Sequence, residues 1–533
     1  MNSPDRKTSL SSELDQLENE LVSLINRRIK LLGNISRKRK DRKASFTDAE
    51  LEKNLWKKWK DSAQSGNKML YRQLFSQLNN LAYAQAEKSP DKPFCLYPAQ
   101  RPLNINIAGP KESIETRLHT LVAAKTPGIR TIRDYPLNDI HVEFIKALNQ
   151  GGAKLSWEED TLHSQEADIN LDGASIYVGE DKFNLFLMLA LGAGHPSVVR
   201  FNCSAGLKNH SLREEIPLFT QLGARLNFIE PQSYSPPLRL EASGNLPESI
   251  DFPDDCDPDL LLALIIGACT YPRPLNIRFN PEKLPPQATN CLHILNQCGV
   301  TCSAAPGEIK INPGPLSLPR NQAIQIDPVL SAYLLAMPLY TGGTVFLEGD
   351  WPGCPLASSI LDLLNRAGLR TEVKDKQISS SRGPEPEEAD LDIRELPRLL
   401  PLAIALIAGA KKKGSIFTDN VQADVDTAGE FLEAIGVTFR IFPNRVEIGA
   451  PDKSAEKGPH WECPTSSWCL AYALVSFSYR GLCLANPGIL TSVWPQFWKI
   501  FMSLPEPQKQ YRRSKENNTQ NTEKPQRRRI IVR

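Results

Sequence analysis

A unit of roughly 70 residues repeats six times along this chain, and that repetition limits the fold more than any single motif. Each copy holds a short apolar helix, a Gly or Pro turn and then a strand. The copies read RLHTLVAAKTPGIRTIRDY from Arg117, LFLMLALGAGHPSVVRFNC from Leu185, LLLALIIGACTYPRPLNIRFN from Leu260, AYLLAMPLYTGGTVFLEGD from Ala332, LPLAIALIAGAKKKGSIFTDN from Leu400 and CLAYALVSFSYRGLCLANP from Cys469. Their starts lie 68, 75, 72, 68 and 69 residues apart. Between them a second helix ends in a glycine and passes straight into a strand. Those glycines are Gly152, Gly223, Gly299, Gly368 and Gly436, spaced by 71, 76, 69 and 68 residues. Glycine just past a helix supplies the left-handed residue that stops it. Helices that are apolar on nearly every side must be buried all round, so the sheets have to wrap outside them. Six units exceed what one such core holds. The expected fold is α/β and inside-out: six copies of a unit with two helices and several strands, divided into two lobes of three with a cleft between them.

A different regime precedes the repeats. Leu14, Leu17, Leu21, Leu24, Ile25, Leu31, Leu32 and Ile35 recur at helical steps, with Ser11 or Ser12 placed to cap the start. A second helix is expected near Thr47-Asp48 and a third over Met69–Glu87. Residues 1–92 therefore read as an all-α three-helix domain. Such helices without a large core often dimerise to bury their seams, which points to a homodimer. Residues 93–102 read as a linker, and the polar, basic residues 506–533 as a disordered tail. Across 533 residues, 63 Lys and Arg balance 61 Asp and Glu, for a net charge of +2. That balance argues against a nucleic-acid or membrane-surface role. The longest apolar runs, such as Leu399–Ala410, are too short to span a bilayer, and the opening residues carry no apolar signal segment. Eleven scattered Cys without a CxxC fit a reducing cytoplasm, with Cys used as a small buried residue. Seven isolated His give no metal-ligand spacing, so no metal and no cofactor are expected.

The six-unit pattern resembles the enolpyruvyl transferase family, and within it the 5-enolpyruvylshikimate-3-phosphate (EPSP) synthases, or 3-phosphoshikimate 1-carboxyvinyltransferases. The likeness covers residues 103–505 and opens at LNINIAGPKESIETRLHTLVAA, which is similar to the family's first strand, its Gly-Ser-Lys-Ser segment and its Ala/Leu-rich helix. It implies a two-lobed inside-out α/β barrel of six repeated βαβαββ units, with one lobe at 112–325, holding repeats 1–3, and a second at 103–111 with 326–505, holding repeats 4–6. LDQLENELVSLINRRIKLLGNISRKR followed by FTDAELEKNLWKKW resembles the small all-helical chorismate mutases. Both activities lie around chorismate, which favours the shikimate enzyme over its cell-wall relative acting on UDP-N-acetylglucosamine.

The family joins phosphoenolpyruvate to shikimate 3-phosphate and releases phosphate. Both substrates are strongly anionic, so the cleft must present Lys and Arg together with a carboxylate and a proton donor. On the family's motifs, Ser113 and Arg117 match its Ser and Arg, and Asp139 sits near a family Asp. Lys111 stands one residue before the family's Lys position, which Glu112 fills. Lys182 replaces a Gly and Phe186 an Arg; the next Arg falls on His210 by strict spacing or on Arg213 after a one-turn deletion. The Ser-Ser-Gln that the resemblance implies for the phosphate of shikimate 3-phosphate reads Asp257-Pro258-Asp259, and two carboxylates there would repel that ligand. In the other lobe the acid–base Asp falls on Arg398, a Lys-Glu-x-x-Arg motif on Asn420, Val421 and Asp424, a late Arg on Ser467 and the last Lys on Ser492. In the mutase-like part Arg28, Arg39, Asp48 and Glu52 keep the family's charges, while Ser11 and Leu51 replace two of its Arg.

Three readings stay open. The chain is a divergent family member with most active-site residues replaced, catalytically impaired or a binding and regulatory pseudoenzyme. Alternatively it is a working EPSP synthase whose cationic cleft is rebuilt from Lys111, Arg117, Lys182, Arg213 and Arg398. The third reading is a non-catalytic interaction protein that dimerises through its helical domain. A small anionic metabolite is the expected partner of the cleft in the first two.

Overall fold

The structure is a computed structural model, and it describes residues 5–42, 47–62, 68–87, 94–98, 103–230, 233–318, 324–384, 390–394, 396–409, 413–418, 422–451 and 460–503. The basic tail at 506–533 and the positions Asn420 and Val421 lie outside the described residues.

Three helices come first: α1 (Asp5–Asp41), α2 (Ala49–Ser62) and α3 (Lys68–Glu87). α1 starts at Asp5, ahead of the expected caps Ser11 and Ser12, which are interior residues of the helix. No Gly or Pro interrupts the chain between Asp5 and Leu32, so nothing stops the helix from extending. Asp48 caps α2, its Oδ1 accepting from the Leu51 amide at 3.1 Å. The three helices bury Ile29, Leu32, Leu78, Ala82 and Tyr83 against Ala205 of the repeat region. The Ser76 hydroxyl adds a hydrogen bond to Glu230 at 2.8 Å.

The repeats build two separate apolar cores. One draws on residues between Leu118 and Ile324, the other on Leu96, Ile105 and residues between Ile326 and Phe501. The apolar helices sit inside them: α4 (Ser113–Lys125), α6 (Lys182–Ala193) and α7 (Pro258–Gly267) in the first; α8 (Pro328–Leu335), α9 (Leu400–Gly409) and α10 (Ser466–Val475) in the second. α5 (Asp139–Gln150) is one of the second, amphipathic helices of the repeat. All ten residues of α9 are buried, which its uniformly apolar sequence requires. The five glycines expected to end the amphipathic helices all have positive φ, from 70° at Gly223 to 99° at Gly368.

The sheets repeat one order. Ser175–Tyr177 runs parallel to Ser197–Asn202, which pairs antiparallel with Leu238–Ala242, and that strand pairs antiparallel with Ala224–Phe228. The sheets that begin at Ser249 and Leu391 follow the same order. In the fourth repeat the leading strand is Leu103–Ala108, which lies parallel to Gly343–Glu348. The chain thus starts in the second core, builds the first and returns. Each sheet is open, and none of the described strands closes into a barrel. The expected equality of the six units also fails at both ends. The first repeat has a three-stranded sheet. In the sixth, among the described residues, Cys483–Leu484 pairs with Phe94–Cys95 alone and bridges to Trp461. The residues that follow form a helix, Phe497–Ser503, whose Trp498 and Phe501 rings meet Phe94 and Phe477 edge to face instead of extending a sheet.

That pairing sets Cys95 opposite Cys483, and the two form a disulfide with Cα atoms 4.0 Å apart. The sequence reading took every Cys as an unpaired small residue, and these two correct it. The chain passes between the cores at Gly109–Glu112 and again at Ile324–Asp327. The Glu112 amide donates to the Gln325 carbonyl at 3.0 Å and the Asp327 amide to the Pro110 carbonyl at 2.7 Å. A Cβ on Gly109 would lie 2.7 Å from Ile326 Cγ2, so glycine lets the two passages touch. Among the described residues no helix is long and apolar enough to cross a membrane.

Candidate functional site

Four of the buried helices begin on a carboxylate that belongs to the chain. Glu112 caps α4 through the Glu115 amide, and Asp181 caps α6 through the Asn184 amide at 2.8 Å. Asp257 caps α7 through the Asp259 amide at 2.9 Å, and Asp327 caps α8 through the Val329 and Leu330 amides at 2.8 and 2.9 Å. An acid just before an apolar run is what an N-cap needs, and its charge suits the positive end of the helix. The same end would otherwise attract an incoming anion.

The cations of this region are spoken for by those acids. Buried Arg117 donates from Nη2 to Asp181 at 2.9 Å and lies over the Phe183 ring at 4.9 Å. Lys182 Nζ lies 2.5 Å from Asp257 and 3.1 Å from Asp259. Burial alone would push the Lys182 ammonium down, and Asp259 and Asp257 more than reverse that. Arg398, from the second core, reaches Asp259 of the first at 3.8 Å. Asn138 makes another contact across the cores, donating to the Val493 carbonyl at 3.1 Å. Arg117, Lys182 and Arg398 thus each stand beside a carboxylate, and Asp259 is shared by the last two across the cores.

At the passages between the cores two of these capping acids, Glu112 and Asp327, gather with Glu115. Glu115 is 1% exposed. Burial and then the neighbouring Glu112 push its carboxyl up to about 8. Burial and then Asp327 push Glu112 up to about 7, and burial takes Asp327 to about 6. Glu112 and Asp327 line a cavity of about 50 Å³ between the cores. Lys111 stands near enough to draw the Glu115 carboxyl part of the way back down, and its ammonium donates to the Ile324 carbonyl at 3.1 Å.

Ser113 opens α4 with its Oγ 3.0 Å from Nε2 of His141. Nδ1 of His141 lies 2.6 Å from the Pro136 carbonyl, which can only accept. Nδ1 therefore carries the hydrogen, Nε2 accepts, and the Ser113 hydroxyl donates to it. Burial and then the Arg117 guanidinium hold His141 down to about 3, so the ring is neutral. Ser113 consequently turns only lone pairs to the cleft, where an anion needs a donor.

The remaining expected residues lie outside this constellation. Arg213 is exposed and rests over Tyr234 at 5.3 Å. Asp139 is exposed at the start of α5. Phe186 packs against His210 at 5.8 Å. Ser492 turns back to the Ile489 carbonyl at 3.2 Å, and Ser467 bonds to buried Tyr333. Sequence reasoning missed Glu115, His141, Asp181 and Asp327. The pattern of an acid before an apolar run could have found the last two; nothing local marks the others. In the helical part each expected residue is taken up by a partner from that same part of the chain. Arg39 bonds Asp48 at 2.6 Å, Glu52 accepts from Tyr83, and Arg28 bonds Asn79 at 2.7 Å beneath Trp59 and Phe75.

No family model matches the chain. It is 23% identical over 351 residues to the 3-phosphoshikimate 1-carboxyvinyltransferase of Syntrophobacter fumaroxidans, covering 62% of this chain and 79% of the relative. The enzyme of the same name from Shewanella amazonensis is 22% identical over 431 residues, covering 76% of this chain and 96% of the relative. Among solved structures, EPSP synthase from Acinetobacter baumannii matches with a TM-score of 0.62 at 13% identity, covering 77% of this chain and 97% of its own. The enolpyruvyl transferase NikO from Streptomyces tendae matches with a TM-score of 0.60 at 16% identity, covering 78% and 98%. At such identities the two structures speak for the fold.

Proposed function

We propose that this chain, which is a divergent member of the 3-phosphoshikimate 1-carboxyvinyltransferase (EPSP synthase) family, keeps the family's scaffold as a non-catalytic binding or regulatory protein. The observation that carries this reading is the pairing of Lys182 with Asp257 and Asp259 and of Arg117 with Asp181. A phosphate approaching Lys182 meets two carboxylates already in place, and the like-charge repulsion opposes binding. The rival reading, a rebuilt cationic cleft, needs Arg213 to converge with the other cations, and Arg213 stands over Tyr234 instead.

The test is direct. Purified protein given phosphoenolpyruvate and shikimate 3-phosphate is expected to release phosphate at least a thousandfold more slowly than an ordinary turnover of about 10 s⁻¹. Release within tenfold of that ordinary rate would establish the rival.

The same reading takes the repeats as six descendants of one βαβαββ unit, wrapped sheets-outside as two lobes at 112–325 and at 103–111 with 326–505. Residues 1–92 are then a chorismate-mutase-like domain whose pocket residues have become internal partners. Nine free Cys support the cytoplasmic setting, against one disulfide. Leu14, Leu17, Leu21 and Leu24 of α1 are 50–63% exposed, which supports a homodimer through this face. Sedimentation should give a dimer, and Leu17→Glu with Leu24→Glu a monomer. A monomeric wild-type protein removes this part of the reading.

A further inference from the structure

A second cavity lies at the far end of the first core's helices from the cleft. Tyr271 stands thirteen residues after Pro258, the first residue of α7, and Tyr479 thirteen after Ser466, the first of α10. Each tyrosine leans on the helix of the preceding repeat. The Tyr271 hydroxyl donates to the Ala190 carbonyl of α6 at 2.7 Å, and the Tyr479 hydroxyl to the Ala408 carbonyl of α9 at 2.9 Å. Those two carbonyls are equivalent, eight residues after Lys182 and after Leu400, where the helices begin.

In the second repeat the residue thirteen after Lys182 is His195, and the equivalent carbonyl on the preceding helix, α4, is that of Leu121. His195 does not lean that way. Its Nε2 donates in the other direction, to the Thr270 carbonyl at 3.0 Å. Next to the Leu121 carbonyl there is a cavity of about 280 Å³, with Leu121, Leu171 and Leu191 on its apolar side and Lys125, Asp168 and Asn170 on its polar side. A volume of about 150 Å³ is already enough for one aromatic ring.

We propose that this cavity binds a one-ring aromatic molecule bearing a hydroxyl. The ring sits between Leu121 and Leu191, and the phenolic hydrogen goes to the Leu121 carbonyl as those of Tyr271 and Tyr479 go to Ala190 and Ala408. The site is independent of the cleft, which lies a helix length, about 20 Å, away at the other ends of α4 and α6.

Calorimetric titration of the full chain with p-cresol tests this, with toluene as the ring lacking the donor. p-Cresol should bind saturably, and toluene roughly 3–10-fold more weakly for the loss of one neutral hydrogen bond. His195→Tyr supplies the missing ring from within and should abolish p-cresol binding while raising the melting temperature. Lys125→Phe fills the same space from α4 and should abolish binding too, which keeps the test decisive if the first variant fails to fold. Absence of saturable p-cresol binding up to roughly 10 mM, or equal affinity in wild type and in a folded filling variant, would overturn the proposal.

Discussion

Raising the pH from about 5 to about 8 is expected to weaken this fold, and Glu115→Gln to remove much of that loss. Glu115 lies among Glu112, His119, Gln325, Asn290 and Lys111, with one carboxyl oxygen buried and unpartnered among the described residues. Its folded carboxyl is raised from 4.5 to about 8. The folded state therefore holds a proton that the unfolded chain gives up near pH 4.5. Stability from this group is complete below that pH and is lost as pH climbs towards 8. The sum for a shift of this size is on the order of several kcal/mol, or a fall in melting temperature of roughly 10 °C. Glutamine keeps the shape and can still accept from the Gln325 amide, which lies 3.3 Å from Oε1. Glu115→Gln should match wild type near pH 5 and exceed it near pH 8 in denaturant unfolding. A variant equally less stable at both pH values would mean that Glu115 is ionised in the fold.

The same group of acids separates what the sequence could disclose from what it could not. Apolar helices and glycine stops declare themselves by local composition, so the repeat, the six inner helices and the positive φ at Gly152, Gly223, Gly299, Gly368 and Gly436 were legible before any coordinates. The replacements at Asp257 and Asp259 were legible too, because the repeat fixed their register. Proximity across repeats was not. Glu115 faces inward from a helix that reads as uniformly packed, and what joins it and its neighbour Glu112 to Gln325 and Asp327 is the meeting of two passages of chain more than 200 residues apart, where the Gln325 amide meets Glu115 across a separation of 210 residues. His141 is a lone His on an amphipathic helix, and only the fold sets it against Ser113. The Cys95–Cys483 bond spans 388 residues and has no local signature.

Asp257→Ser combined with Asp259→Gln should let the cleft take up shikimate 3-phosphate without restoring turnover. The two acids now serve as the counter-ions of Lys182, and Asp259 also faces Arg398. Removing both leaves two cations at the N-terminus of α7, and serine still caps that helix, so the fold is kept. The carboxylates are 21% and 28% exposed, so water and salt screen part of their effect. After that discount a gain of about 1.4–2.7 kcal/mol remains, which is roughly 10- to 100-fold in affinity. The gain should shrink between about 50 mM and 500 mM salt, as an ion-pair effect must. Unchanged affinity would mean that these acids are not what keeps anions out. Phosphate release should stay absent, because binding a substrate lowers no barrier by itself and Ser113 still points its hydrogen at His141 rather than at the ligand. Tight binding without turnover would place the lost function in the chemistry, and turnover returning with binding would place it in these two carboxylates alone.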